Sequence, residues 1–150
     1  MMEFLLNLTP VGNEIINNLV RAKFKVQENV QYCRTEKGTF GYLENSSKRL
    51  VVCTANIKNG GWDLQHYLNE TVYHEAVHAA QQCKSRGVMG IFGPVTLGIP
   101  KKMMPLSSDK KDEVKKSSTF IPGSYDREYE AYYLESKPQK VIHYVKKFCF

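Results

Sequence analysis

The segment of residues 71–80 constrains the fold most, because it carries the pattern H-E-x-x-H. His74 and His78 are four residues apart, so on a helix their imidazoles lie one turn apart on one face. Glu75 is the next residue round the helix, close enough to touch a water molecule bound to a metal that the imidazoles hold. Two imidazoles suit Zn²⁺, and a carboxylate suits proton transfer from such a water. The pattern predicts His74 and His78 as zinc ligands and Glu75 as the catalytic base.

The residues around the motif predict a helix over residues 64–85, capped by Asp63 and ended by Gly87. At about 100° per residue, the apolar side chains fall on one arc and the histidines fall roughly opposite. The motif alone also fits a helix with two exposed histidines and a solvated glutamate. The separate faces favour a metal site, because the histidines are not part of the apolar arc. That arc consists of Leu68, Val72, Ala76, Ala79 and Cys83.

The other local patterns mix helices and strands. Thr9 suits the cap of a helix from Pro10 to about Lys23. Residues 40–43 and 50–54 are expected to form an antiparallel hairpin. Further elements are a strand within residues 24–32, a short helix at 110–116, a helix at 125–135 and a last helix at 138–148.

Length and charge limit the classes of protein that need to be considered. A chain of 150 residues fits one domain, covering residues 1–150. The net charge of +6 comes largely from lysines within residues 101–116 and near the end of the chain. Acidic residues interrupt the first cluster and no aromatic residues alternate with it, so nucleic acid is not expected as a partner. No apolar run approaches the length of a membrane span, and the first residues lack the basic region of a secretory signal.

The four cysteines, Cys33, Cys53, Cys83 and Cys149, form no C-x-x-C pair. A hairpin that turns near residues 45–46 does not place Cys33 opposite Cys53. Reduced, buried thiols and a cytoplasmic protein are therefore expected.

Catalytic zinc needs a third protein ligand besides His74 and His78. Metzincins have a histidine six residues after the second one, where this chain has Lys84, so that class is excluded. His66 and His143 remain as alternatives. An acidic residue of the helix at 125–135 is the better candidate.

The sequence HEAVHAAQQC, followed about fifty residues later by DREYEAYYLE, resembles the gluzincin group of zinc metallopeptidases. More narrowly, it resembles small minimal forms from bacteria and phages, including peptidases that cleave phage repressors. The resemblance covers about residues 39–135. Its Glu-Ala step maps onto Glu130-Ala131 and implies Glu130 as the third ligand. Tyr132 stands where the family often has Asn, so Glu128 is the alternative ligand.

The resemblance implies an α+β, zincin-like fold, in which a small antiparallel sheet packs on the H-E-x-x-H helix and on a second, glutamate-bearing helix. It also implies that residues 50–57 lie near the cleft, where a sheet edge would pair with an extended peptide. The expected function is zinc-dependent hydrolysis of a peptide or protein substrate, with a protein partner that completes the cleft of so short a chain. The protein would be virion-associated if a phage encodes it. Candidate donors to the oxyanion are Tyr73, Tyr125, Tyr133 and His143.

Two alternatives to a peptidase remain open. The same zinc site would suit a non-catalytic phage or virion structural or interaction protein. A basic nucleic-acid-binding module that uses the lysines of residues 101–116 is the second alternative.

Overall fold

The computed structural model describes residues 3–86 and 94–150. These ranges contain seven α-helices and three β-strands, so the predicted α+β class is confirmed. The helices are α1 (Pro10–Arg21), α2 (Gln31–Thr35), α3 (Thr54–Asn59), α4 (Leu64–Arg86), α5 (Ser108–Ser118), α6 (Tyr125–Leu134) and α7 (Pro138–Cys149), and the strands are β1 (Lys25–Glu28), β2 (Gly41–Glu44) and β3 (Arg49–Val52).

The three strands form a mixed sheet in the order β1-β3-β2. β2 and β3 are antiparallel and pair Tyr42 with Val51, which confirms the predicted hairpin. β1 is parallel to β3 and pairs Val26 with Leu50, so the prediction of an all-antiparallel sheet is wrong. Parallel pairing is open to β1 because α2 and β2 lie between it and β3 in the chain, which gives the chain length to return.

The edge strands of the sheet are β1 and β2, because β3 is paired on both sides. The prediction that residues 50–57 offer an edge is therefore wrong. Strand β3 ends at Val52, two residues before the predicted end of the strand at 50–54, and α3 begins at Thr54. The complete burial of Leu50, Val51 and Val52 agrees with a central strand.

Helix α4 forms the centre of the molecule and packs against α7, α6 and α1. Asp63 Oδ1 accepts a hydrogen bond from the backbone N–H of His66 at 3.2 Å, as expected of a capping residue. The predicted apolar arc is buried, with Leu68, Val72, Ala76 and Ala79 fully so. Gly87, which was predicted to end this helix, lies outside the described residues.

Helix α1 closes over one side of α4 and confirms its predicted start. Thr9 Oγ1 accepts a hydrogen bond from the Gly12 N–H at 3.0 Å, and Pro10 occupies the first helical position. Ile15, Ile16 and Leu19 form its buried face. The predicted helices α5, α6 and α7 are also present. No helix within the described ranges has the length and hydrophobicity needed to cross a bilayer.

The four cysteines form two disulfide bonds, so the expectation of reduced thiols is wrong. Cys33 is bonded to Cys53, and Cys83 is bonded to Cys149. The prediction failed at Cys33 because this residue lies in α2, which folds back over β3 and brings the Cα atoms of Cys33 and Cys53 to 5.5 Å. The second bond ties the last turns of α4 to the end of α7. The argument for a cytoplasmic protein from reduced thiols no longer holds.

Candidate metal centre

Three side chains from α4 and α6 that could each ligate a metal lie close together. His74 Nε2 and His78 Nε2 lie 3.2 Å and 3.0 Å from the same oxygen, Glu128 Oε1. A ligand atom from each of the three residues lies within 4.8 Å of the other two. The two imidazoles are neighbours because four residues make about one turn of α4. The structure therefore assembles the spacing of a three-ligand metal site from His74, His78 and Glu128.

Glu130, predicted as the third ligand, does not lie with the histidines. Its carboxylate accepts hydrogen bonds from Leu97 N, at 2.8 Å to both oxygens, and from Gln81 Nε2 at 2.9 Å. Positions 128 and 130 are separated by about 200° round a helix, so only one of them can reach the two histidines. The structure places the alternative, Glu128, there. Burial raises the pKa of Glu130, although hydrogen bonds from Leu97 and Gln81 oppose the rise.

The Nδ1 atom of each imidazole has its own hydrogen-bond acceptor, while Nε2 faces Glu128. Glu135 Oε2 lies 2.8 Å from His74 Nδ1, and Gln81 Oε1 lies 2.8 Å from His78 Nδ1. An acceptor at Nδ1 favours the proton on that nitrogen and leaves Nε2 as the ligand atom. Sequence reasoning missed both of these residues. Their spacing is a usable signal, because Gln81 is three residues after His78 and Glu135 is seven residues after Glu128.

The charges of the site shift the pKa values of its members. Burial lowers the pKa of His74, but hydrogen bonds to Glu128 and Glu135 outweigh it and raise the pKa well above its usual value. The pKa of His78 is also raised, because Glu128 outweighs burial there. Burial acts to raise the pKa of Glu128, but the two histidines hold it far below its usual range. Without a metal, the three residues therefore favour protonated imidazoles around a carboxylate.

Glu75 is nearly buried and borders the same cleft as the two histidines. Burial raises its pKa, while the charges of His74 and His78 oppose that rise. A carboxylate with a raised pKa is better suited to accept and return a proton near neutral pH. Its position agrees with the predicted role of base.

The site opens into a cleft of about 630 Å³. One wall is the chain around the free edge of β2, including Phe40, Gly41 and Tyr42. The opposite wall comes from α5, α6 and the chain between them. Phe120 and Ile121 border the cleft there and are 85% and 59% exposed. The cleft therefore lies between a strand edge and the group formed by His74, His78 and Glu128.

The three tyrosines and one histidine predicted as oxyanion donors are not among the described residues that line this cleft. The hydroxyl of Tyr73, for example, is 2.7 Å from Thr9 Oγ1 at the other side of α4. Tyr132 does line the cleft, with its ring centroid 4.6 Å from that of His74. Its hydroxyl is 2.7 Å from Ser117 Oγ, and burial raises its pKa to about 12. Its position four residues after Glu128 is the signal that would have found it.

The alternative histidine ligands lie elsewhere. His66 is more than half exposed and lies 3.7 Å from Glu70, at the start of α4. His143 is exposed on α7 and does not line the cleft. Neither belongs to the group formed by His74, His78 and Glu128.

Comparison with known proteins gives a family and no named relative. A search of curated proteins found no match, and a search of solved structures also found none. Residues 4–150 match a family described as a domain of unknown function (DUF8637). The match covers almost all of the sequence, and the chain therefore belongs to this family.

Proposed function

We propose that the protein is a zinc-dependent peptidase of the gluzincin type, in which His74, His78 and Glu128 hold the metal. The observation that carries the proposal is the approach of both Nε2 atoms to one Glu128 oxygen, beside the Glu75 carboxylate and at an open cleft. Two histidines and one glutamate are the ligand set of several catalytic zinc sites, and they leave a coordination position open.

The donor chemistry of the site supports zinc. Glu135 and Gln81 hold the two imidazoles with Nε2 directed at Glu128, as outer partners do for histidine ligands of metals. The Nε2 protons that hydrogen-bond to Glu128 in the metal-free protein occupy the place that a cation would take. A divalent cation would bind the same three groups in place of the two Nε2 protons, which would be released to solvent.

The roles of the protein groups follow from their positions. When bound, zinc supplies a Lewis acid that lowers the pKa of a water ligand to about 7 and polarises a carbonyl group. Glu75 accepts a proton from the attacking water and returns it to the leaving amine. Tyr132, beside His74, is our candidate donor to the developing oxyanion.

The free edge of β2 supports an extended peptide as the substrate. Backbone groups of residues 40–43 border the cleft and are not paired on that side within the described sheet. A peptide added as a strand there would lie along the cleft that contains Glu75. We infer a zincin-like arrangement, in which β2 provides the edge, α4 the motif and α6 the glutamate.

The disulfide bonds favour an oxidising compartment rather than the cytoplasm predicted from the sequence. Stable disulfide bonds are rare in reducing compartments, so we include an oxidising compartment in the proposal. The proposed zinc chemistry is compatible with it, since none of the four cysteines is needed as a ligand.

The test combines metal analysis with peptide hydrolysis. We expect one zinc per chain in the wild type and in Glu75→Gln, and none in His78→Ala. Hydrolysis of a mixed peptide library should fall about 10²- to 10⁴-fold in Glu75→Gln, because the variant keeps the metal and loses the base. A wild type that binds no zinc would contradict the metal site.

The non-catalytic alternative makes a different prediction from the same experiment. A zinc-binding structural or interaction protein would retain zinc, leave the library uncut and be unaffected by Glu75→Gln. The basic-module alternative has less support, because Lys101 pairs with Asp126 and Lys110 pairs with Glu135. It predicts nucleic-acid binding that weakens steeply with salt.

A further inference from the structure

A chain of hydrogen bonds runs from Leu97 to His78 through Glu130 and Gln81. Leu97 N donates to both carboxylate oxygens of Glu130 at 2.8 Å. Gln81 Nε2 donates to Glu130 Oε1 at 2.9 Å, and Gln81 Oε1 lies 2.8 Å from His78 Nδ1. Gln81 is fully buried and Glu130 is 2% exposed, so water does not compete for these groups.

The partners of the Gln81 amide decide which way it faces. Its Nε2 lies 3.0 Å from the backbone carbonyl oxygen of Arg127, which can only accept a hydrogen bond. A reversed amide would direct its oxygen at this carbonyl and at the Glu130 carboxylate. Gln81 Oε1 is therefore held toward His78. The Nδ1 atom of His78 must then donate a proton, so Nε2, which faces Glu128, is the nitrogen that can release its proton and bind a metal.

We infer that Glu130 is a positioning residue for His78, acting through Gln81 to fix which ring nitrogen serves as the ligand. The functional meaning of this inference rests on the proposed metal site, although the hydrogen bond between His78 Nδ1 and Gln81 is present in the metal-free protein too. His74 is oriented directly by Glu135. The two histidines are thus oriented by different routes, and Glu130 supports the site without touching the metal.

The decisive variant is Glu130→Gln, which keeps the shape and replaces one acceptor by a donor. The side-chain amides at positions 81 and 130 are then neighbours. Whatever their orientations, two hydrogen-bond donors or two acceptors face each other at one contact. We expect the hydrogen bond from His78 Nδ1 to Gln81 to weaken, while the hydrogen bond from His74 Nδ1 to Glu135 is kept. ¹H–¹⁵N NMR spectra of the metal-free protein, with both rings doubly protonated, measure this directly as an upfield shift and faster exchange of the His78 Nδ1 proton. Zinc affinity should fall about 10- to 100-fold.

The matched control is Glu135→Gln, which makes the same chemical change behind the other histidine. It should alter the NMR signals of His74 and leave those of His78 unchanged. Gln81→Met is the second variant if Glu130→Gln does not fold. It removes the acceptor at His78 Nδ1 and should also abolish the hydrogen bond there.

Two results would overturn the inference. One is a folded Glu130→Gln protein whose His78 Nδ1 proton keeps the wild-type chemical shift and exchange rate, even if its melting temperature is lower, since a purely structural role would give that pattern. The other is a Gln81→Met protein whose His78 Nδ1 proton is likewise unchanged. A wild type that binds no zinc would overturn the proposed metal site instead, while the comparison of the His78 Nδ1 protons would still decide the role of Glu130.

Discussion

Glu128 is the residue on which the metal site depends most, because a single carboxylate oxygen meets both imidazoles. It is largely buried, and its charge is balanced by His74 and His78. Removing the charge removes the strongest influence that raises the pKa values of the two buried imidazoles. Such a change affects metal binding and the electrostatics of the metal-free site together.

Glu128→Gln should abolish stoichiometric zinc binding, because an amide is a poor third ligand for this cation. Titration with a competing zinc chelator would measure the affinity. Glu70→Gln is a suitable control, since Glu70 lines the same cleft but is not part of the three-residue group. Zinc affinity equal to the wild type in Glu128→Gln would remove Glu128 from the ligand set.

The raised pKa values of the histidines predict how zinc affinity depends on pH. Binding must displace protons from His74 and His78, so the apparent affinity should increase as pH rises toward the raised pKa of His74. Zinc titrations between pH 5 and pH 9 would measure this together with proton release. Affinity that is constant over this range would contradict the assigned ligands.

The stability of the metal-free protein should show the opposite trend at alkaline pH. A raised histidine pKa contributes stability below the unfolded value of 6.5, and this is lost as pH rises through the folded pKa. The lowered pKa of Glu128 contributes stability above 4.5, which is lost as pH falls. Melting temperatures in the presence of a chelator should therefore be highest between these two values, and Glu128→Gln should flatten the curve.

At this scale, the sequence was sufficient to place His74, Glu75 and His78 at one cleft, because their spacing within a helix is a local property. It did not distinguish Glu128 from Glu130. That choice depends on the rotation of α6 relative to α4, which tertiary packing sets. Gln81 and Glu135 were not predicted, because the H-E-x-x-H pattern specifies the metal ligands and the base but not the groups that hydrogen-bond to Nδ1 of the two imidazoles.

Among the elements, β2 and α4 approach each other closely at Gly41. A Cβ atom at this position would lie 2.6 Å from Thr71 Cγ2 and 2.9 Å from the Val51 carbonyl oxygen. Glycine therefore allows the strand that borders the cleft to lie directly on the helix that carries the motif. A larger residue would move β2 away from α4.

Gly41→Ala should lower the free energy of unfolding by about 1–3 kcal/mol, because the added methyl group overpacks this contact. Urea denaturation would measure the loss. Gly38→Ala is the matched control, since a Cβ atom there has no neighbour within 4 Å, and its effect should stay within about 0.5 kcal/mol. Adding Thr71→Ser to Gly41→Ala should recover part of the loss by removing the opposing methyl group. Equal stabilities of the two alanine variants would contradict the close approach.

The hairpin of β2 and β3 was predictable because alternation and turn residues are adjacent in the sequence. The parallel pairing of β1 with β3 was not, because it joins residues 24 positions apart, such as Lys25 and Arg49. No local pattern encodes the direction in which the chain re-enters a sheet. The same reason explains the wrong edge, since only the strand order shows that β3 is central and that β1 and β2 are the edge strands.

For the whole molecule, the two disulfide bonds predict a measurable dependence on reductant. Each should contribute about 2–4 kcal/mol to the free energy of unfolding. The Cys83–Cys149 bond spans 66 residues and the Cys33–Cys53 bond spans 20, so the longer loop should contribute about 1 kcal/mol more. Urea denaturation of double alanine variants, one for each pair, would measure the two terms. A wild type whose stability is unchanged by reductant would show that the bonds do not form in solution.

The bonds also fix how far the chain can be drawn out by force. They enclose separate stretches, one from Cys33 to Cys53 and the other from Cys83 to Cys149. In a single-molecule pulling experiment on the two ends, neither stretch would extend. The rest of the chain would extend by roughly 3.3–3.6 Å per residue. The oxidised protein would therefore reach a contour length roughly 280–310 Å shorter than the reduced one. The whole of α5 and α6, with Glu128, would remain inside a loop that carries no tension.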